Sequence, residues 1–80
     1  MIDSTVFLEV FVTVVDGLTR DDISMETAIK EIPNWDSLAK LSVIAELEDR
    51  FQVDIGLGDL AGCQTIADLK ELVEKRSVER

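Results

Sequence analysis

Polar and apolar side chains follow a helical period in three parts of this chain. In the stretch "STVFLEVFVTVVDGL", Thr5, Glu9, Thr13 and Asp16 are spaced by four, four and three and form a single stripe. Phe7, Val10, Phe11, Val14 and Leu18 fall opposite. The many β-branched residues favour a strand by propensity, but the stripe argues for a helix, with Ser4 to cap its start and Gly17 to end it. Leu8, Val12 and Val15 flank the apolar face and widen it. They are either a broad core contact or an exposed patch for self-association.

A second helix is expected from Asp36 or Ser37 to Phe51, after the turn residues Pro33 and Asn34. At about 100° per residue, Val43, Ile44, Leu47 and Phe51 share a core face. Lys40 and Arg50 point partly the same way at its two ends, where long stems reach water. Leu38, Leu41 and Ala45 make a second apolar strip on the opposite side, bordered by Glu48 and Asp49. A helix that needed only a core would have no use for that strip. The strip is either a wider core contact with the preceding loop or a surface for partners.

The last periodic segment is "TIADLKELVEKR". Thr65 and Asp68 form the pattern of a capping box. Ile66, Leu69, Leu72 and Val73 make the buried stripe, and Lys75 and Arg76 suit the negative end of the helix dipole. Between the second and last helices, "QVDIGLGDLAGC" should turn Val53 and Ile55 inward and form a short helical turn from Leu57 to Ala61. Residues 19–35 form a long connection that Ile23, Met25, Ala28, Ile29 and Ile32 pin to the core. The expected fold is all-α: a small four-helix bundle, three main helices and one short, with a long first loop, filling residues 1–80 as a single domain.

Composition narrows the function. Eighty residues build a thin core, and 46% hydrophobic content is enough to fold it. The formal net charge of −9 opposes binding to nucleic acid and favours partners with basic docking surfaces. The acidic stretch "DDISMETAIKEI" lacks the alternating oxygen ligands and central glycine of a calcium loop. With no histidine and one cysteine, Cys63, the chain can build no zinc site, Cys–His pair or Ser–His–Asp triad of its own. Cys63 reads as a small half-buried side chain rather than a nucleophile. A lone cysteine fits a reducing cytoplasm. No signal peptide and no membrane-spanning run is recognisable.

Ser37 remains. It stands where the second helix begins, after a long loop, in an acidic helical chain. The serine is either a plain helix cap or a hydroxyl held out for modification. Free N–H groups and the helix dipole make that position hospitable to a phosphate.

At this point "WDSLAKLSVIAELEDRFQVDI" resembles the core of an acyl carrier protein. The Asp36-Ser37-Leu38 triplet matches that family's attachment motif for 4′-phosphopantetheine. The step from Ser37 to Phe51 matches its second helix, and "TIADLKELVEKR" its ending. The resemblance covers about residues 23–76 well and the first helix loosely. It implies a cofactor carrier, not an enzyme. A phosphopantetheinyl transferase would attach the arm from coenzyme A to Ser37, with Asp36 and Leu38 completing the motif. The arm's thiol would carry an acyl or aminoacyl group to loading and processing enzymes. Leu38, Leu41, Ala45, Glu48 and Asp49 would form the docking surface.

Trp35 should seal the loop to the bundle rather than touch the arm. Ala39, Lys40 and Ser42 stand where housekeeping fatty-acid carriers are often acidic or polar-neutral. Asn34 and Trp35 replace the Gly-Gly or Gly-Ala pair often seen before the triplet. A dedicated stand-alone carrier fits better than the typical fatty-acid or peptidyl pattern. The expected partners include no nucleic acid and no membrane. The expected state is a monomer, with a weak dimer through the first helix as the alternative. A second function class stays open: a small acidic helical protein-binding module with no prosthetic group, in which Ser37 only caps.

Overall fold

The computed structural model describes residues 2–78 and contains four α-helices: α1 (Ser4–Val14), α2 (Ser37–Phe51), α3 (Leu57–Ala61) and α4 (Ile66–Val78). Two short 3₁₀ turns, Arg20–Asp22 and Ile29–Glu31, interrupt the long connection from α1 to α2. No strand forms among the described residues. A lone antiparallel bridge pairs Ala28 with Thr65. α1 packs mainly on α2, and both also meet α4.

The helix expected at the start is there, despite its β-branched composition, because its apolar face has a core to enter. Its cap is Asp3 rather than Ser4: the Asp3 carboxylate accepts from the N–H groups of Thr5 at 2.7 Å and Val6 at 3.4 Å. A carboxylate also meets the positive end of the helix dipole, which a hydroxyl does not. The helix ends at Val14, earlier than Gly17 implied. Gly17 instead takes the positive φ (79°) of the turn that follows.

Leu8 and Val15 are buried and Val12 is partly buried against the core. Val14, assigned to the inward stripe, is only partly buried. These flanking residues are therefore core contacts, and the self-association patch they would have formed is not exposed. On α1, only Val6 is a strongly exposed large apolar residue among those described.

Four aromatic rings run along the α1–α2 interface. Phe7 lies 6.1 Å from Phe51 and 6.0 Å from Phe11, and Phe11 lies 6.0 Å from Trp35 at an interplanar angle of 28°. Contacts of this kind add about 0.5–1.5 kcal/mol each beyond the area they bury. Trp35 thus seals the loop to the bundle as expected. On α2, Val43, Ile44 and Leu47 are buried, Phe51 is half-buried, and Ala39 joins them at 6% exposure. Ala39 precedes Val43 and Leu47 at i+4 spacing, so it extends the same stripe backwards. Arg50 turns away from the core and pairs with Glu46 one turn before it.

The long connection is held more firmly than its side chains alone imply. Ile23, Ile29 and Ile32 are buried, while Met25 and Ala28 are half-buried. The backbone contributes as well. Ile29 N–H donates to the Gln64 carbonyl at 2.9 Å, Ile66 N–H to that of Thr27 at 3.1 Å, and Ala67 N–H to that of Met25 at 2.9 Å. Asn34, itself at φ 61°, donates its side-chain N–H to the Asp16 carbonyl at 2.9 Å. The capping box at α4 is present: Thr65 N–H donates to Asp68 Oδ2, and Asp68 N–H to Thr65 Oγ1. Leu72 is half-buried, so the buried stripe of α4 is narrower than its pattern suggested.

The short α3 is tied down electrostatically. Arg76 on α4 forms a two-pronged pair with Asp59, at 2.9 and 3.0 Å, and donates to the Asp54 carbonyl at 2.7 Å. Asp59 also accepts from the Gly56 N–H at 3.0 Å. These bonds, the Gly56 N–H first and Arg76 second, hold the Asp59 carboxyl below its ordinary value. A lowered carboxyl pKa stabilises the fold above the unfolded value, about 4, and that contribution disappears as pH falls through the folded value. Glu74 is lowered in the same direction, by Lys70 first and the Ile2 N–H second. The urea midpoint should therefore drop between pH 5 and pH 3, and Asp59→Asn should flatten part of that drop. A full-sized drop in the variant would show that this tie is not involved.

Candidate functional site

The start of α2 is organised around Asp36. Its backbone is extended, and its Oδ1 accepts from the Ala39 N–H at 2.8 Å while its carbonyl accepts from Lys40 N–H at 3.0 Å. Asp36 is therefore the cap, and Ser37 is the first helical residue. The capping role left open for Ser37 belongs to its neighbour. Ser37 is exposed, and its hydroxyl makes no hydrogen bond among the described residues. The N–H groups of Ser37 and Leu38 lie in the same first turn, also without protein partners there.

Ser37 stands on the wall of a groove of about 400 Å³. α2 contributes Ser37, Lys40 and Leu41, and the second 3₁₀ turn contributes Ile29 and Lys30. α3 contributes Leu57, Leu60 and Ala61, with Trp35 and Cys63 completing the lining. The walls are mostly apolar and the two lysines are the charged exceptions. Trp35 has a double placement, stacked on Phe11 and exposed to the groove, so sealing the loop does not remove it from the site. Burial pushes the Cys63 thiol above its ordinary pKa, with Asp68 and Asp59 adding to the rise, and its S–H points to the Asp59 carbonyl at 3.4 Å. A thiol held protonated is a poor nucleophile, in line with the reading of Cys63 as a half-buried filler.

The second strip on α2 faces outward. Leu38 is 73% exposed and Leu41 52%, and Ala45 and Asp49 are exposed on the same side. A wider core contact is therefore not what the strip is for. Glu48 departs from the expected rim: it is half-buried, and its Oε2 accepts from the Ile55 N–H at 3.4 Å. Sequence reasoning missed Leu57, which is 51% exposed and lines the same groove as Leu41. Its signal was an apolar residue between two glycines, where no helical stripe could absorb it.

A free hydroxyl at the first position of a helix, two unpartnered N–H groups beside it and an adjoining apolar groove suit a phosphodiester that continues into a flexible, largely uncharged chain. Comparison with known proteins points to such a group. Residues 15–73 match the family described as the phosphopantetheine attachment site. A probable acyl carrier protein of Caulobacter vibrioides is 47% identical over 38 residues, which cover 48% of this chain and 44% of that relative. The chain thus spans less than half the length of that relative. The fold is similar to the solution structure of a holo acyl carrier protein from Geobacter metallireducens, with a TM-score of 0.65 and 29% identity over 95% of this chain and 82% of that one. A matched segment that takes in the loop, all of α2 and α3 and most of α4 places this chain in the phosphopantetheine-attachment family of acyl carrier proteins, whose cofactor is a covalently attached 4′-phosphopantetheine.

Proposed function

We propose that this protein is an acyl carrier whose arm is attached at Ser37. The observation that carries the reading is the division of labour at the start of α2: Asp36 caps the helix, leaving the Ser37 hydroxyl exposed, unbonded and beside the groove. When bound, the cofactor supplies a terminal thiol that holds cargo as a thioester. The chain's own residues do the rest. Ser37 Oγ is the attachment atom, the first-turn N–H groups favour the phosphate anion, and the groove offers the arm an apolar wall. The protein's work is then delivery to other enzymes rather than catalysis, in the reducing cytoplasm that a lone cysteine suits.

Leu38, Leu41 and Ala45, with Asp49 and the outer edge of Glu48, form the docking surface in this reading. Basic patches on a transferase and on loading or processing enzymes would meet it. Charge complementarity of this kind speeds encounter more than it tightens binding. Glu48→Lys with Asp49→Lys should slow modification by the transferase, and the slowing should shrink as salt rises. Because Glu48 also touches Ile55, helicity by circular dichroism must be unchanged for the comparison to count. Equal rates for the variant and the parent across a salt series would remove the acidic rim from the docking surface.

Incubation with coenzyme A and a broad-specificity phosphopantetheinyl transferase tests the central reading. Intact mass should rise by one phosphopantetheinyl group, and peptide mapping should place it on Ser37. No gain, or a gain on Ser4, Ser24, Ser42 or Ser77, would refute it.

A further inference from the structure

Among the described residues, most cations have an acidic partner: Arg20 pairs with Glu9, Arg50 with Glu46, Lys70 with Glu74 and Arg76 with Asp59. Lys30, Lys40 and Lys75 do not. In a chain with seventeen carboxylate side chains and eight basic ones, ammonium groups left without an anion are unexpected. Two of the three line one groove, and it is the groove that holds Ser37. They come to it from different segments, Lys40 from α2 and Lys30 from the 3₁₀ turn of the long connection. Lys40 is three residues after Ser37, a spacing that puts two Cβ atoms about 5–6 Å apart on one helix face. The carboxylate nearest Lys40 in sequence, Asp36, caps the helix through the Ala39 N–H, and Glu31, next to Lys30, forms no ion pair with it.

We propose that Lys30 and Lys40 form a two-sided cationic clamp for the phosphodiester of the arm, fixing the root of the arm over the groove. This rests on Ser37 as the attachment residue. An anion bonded to Ser37 Oγ is born beside Lys40 and reaches Lys30 across the groove without ordering any further segment of the chain. The clamp would supply the positive charge that the acidic surface otherwise withholds from a phosphate, and it would offset the repulsion from Asp36.

Competitive amine labelling tests the clamp on the whole protein, before and after pantetheinylation by coenzyme A and a transferase, with no acyl cargo loaded. An anion within about 4–6 Å raises an ammonium pKa, and each unit of rise cuts the reactive amine fraction about tenfold. Acylation of both Lys30 and Lys40, read by peptide mass, should slow about threefold or more in the modified protein. Lys75, outside the groove, should keep its rate and serves as the internal control. The protection should fade in 1 M salt, where the screening length is about 3 Å.

Unchanged rates at Lys30 and Lys40, slowing at Lys40 alone, or protection indifferent to salt would each overturn the clamp. Intact mass and peptide mapping on the same samples separate this from a failure of the attachment reading: a Ser37-modified protein with unprotected lysines loses only the clamp, whereas a protein with no group on Ser37 loses both.

Discussion

Ser37→Ala should fold like the parent and accept no phosphopantetheinyl group. The two halves of that expectation have separate causes. The helix cap is Asp36, whose carboxylate holds the Ala39 N–H at 2.8 Å, and the Ser37 hydroxyl makes no hydrogen bond among the described residues. Loss of a working cap costs about 0.5–2 kcal/mol, whereas an exposed change away from such features stays within about 0.5 kcal/mol. Ser37→Ala belongs to the second group, and alanine is a good helix former in its own right. The chemistry does not survive, because no other hydroxyl combines a first-turn position on a long helix with an adjoining groove. Ser42, the nearest serine, lies five residues further along α2 and is half-buried. Intact mass after incubation with coenzyme A and transferase reads the second half, and urea unfolding reads the first. A modified Ser37→Ala protein would move the attachment site elsewhere.

The second large effect separates the two faces of α2. Leu38 and Leu47 are the same residue type on the same helix, at 73% and 0% exposure. Leu47→Ala removes buried methyl groups and leaves a cavity among the side chains of α1, α2 and α4, at a cost of about 2–5 kcal/mol. Small domains are stable by only about 5–15 kcal/mol in total, so this is a large share. At about 4–8 °C per kcal/mol for chains of this size, the thermal midpoint should fall by roughly 10–40 °C. Leu38→Ala should leave that midpoint nearly unchanged and instead slow pantetheinylation markedly, since any enzyme that reaches Ser37 Oγ must cover the next side chain. Thermal unfolding and the transferase rate, measured on both variants, give a crossed result. A fold lost at Leu38 and kept at Leu47 would reverse the two faces.

The hydrophobic period carried most of the architecture. The polar stripe through Thr5, Glu9 and Thr13 was enough to overrule the strand propensity of α1, because a stripe reports what the core does to a helix and propensity reports only the isolated backbone. Helix ends were less readable. A cap is decided by one hydrogen bond, and both Asp3 and Ser4 have side chains able to make it; the geometry chose the carboxylate. The site was legible where it lay within one helix, as in the outward placement of Leu38, Leu41 and Ala45. It was illegible where it crossed the chain. Leu57 and Lys30 reach the groove of Ser37 from segments twenty residues downstream and seven residues upstream, and no period connects positions on different elements. The half-burial of Glu48 escaped for the same reason, since its partner is the Ile55 amide beyond the end of the helix.

The pairing of the long connection with the start of α4 limits how this site can be transplanted. One wall of the groove is the turn containing Ile29 and Lys30, and that turn is fastened by the Ile29 amide to the carbonyl of Gln64, with Thr27 and Met25 accepting from Ile66 and Ala67. Asp36, Ser37 and Leu38 with the rest of α2 could be grafted into another protein as a continuous segment. What would arrive is a serine on a helix with half its surroundings missing, because the opposite wall takes its position from residues almost thirty places further along. A graft that is to keep the groove must run from the long connection into α4, which is most of the described chain.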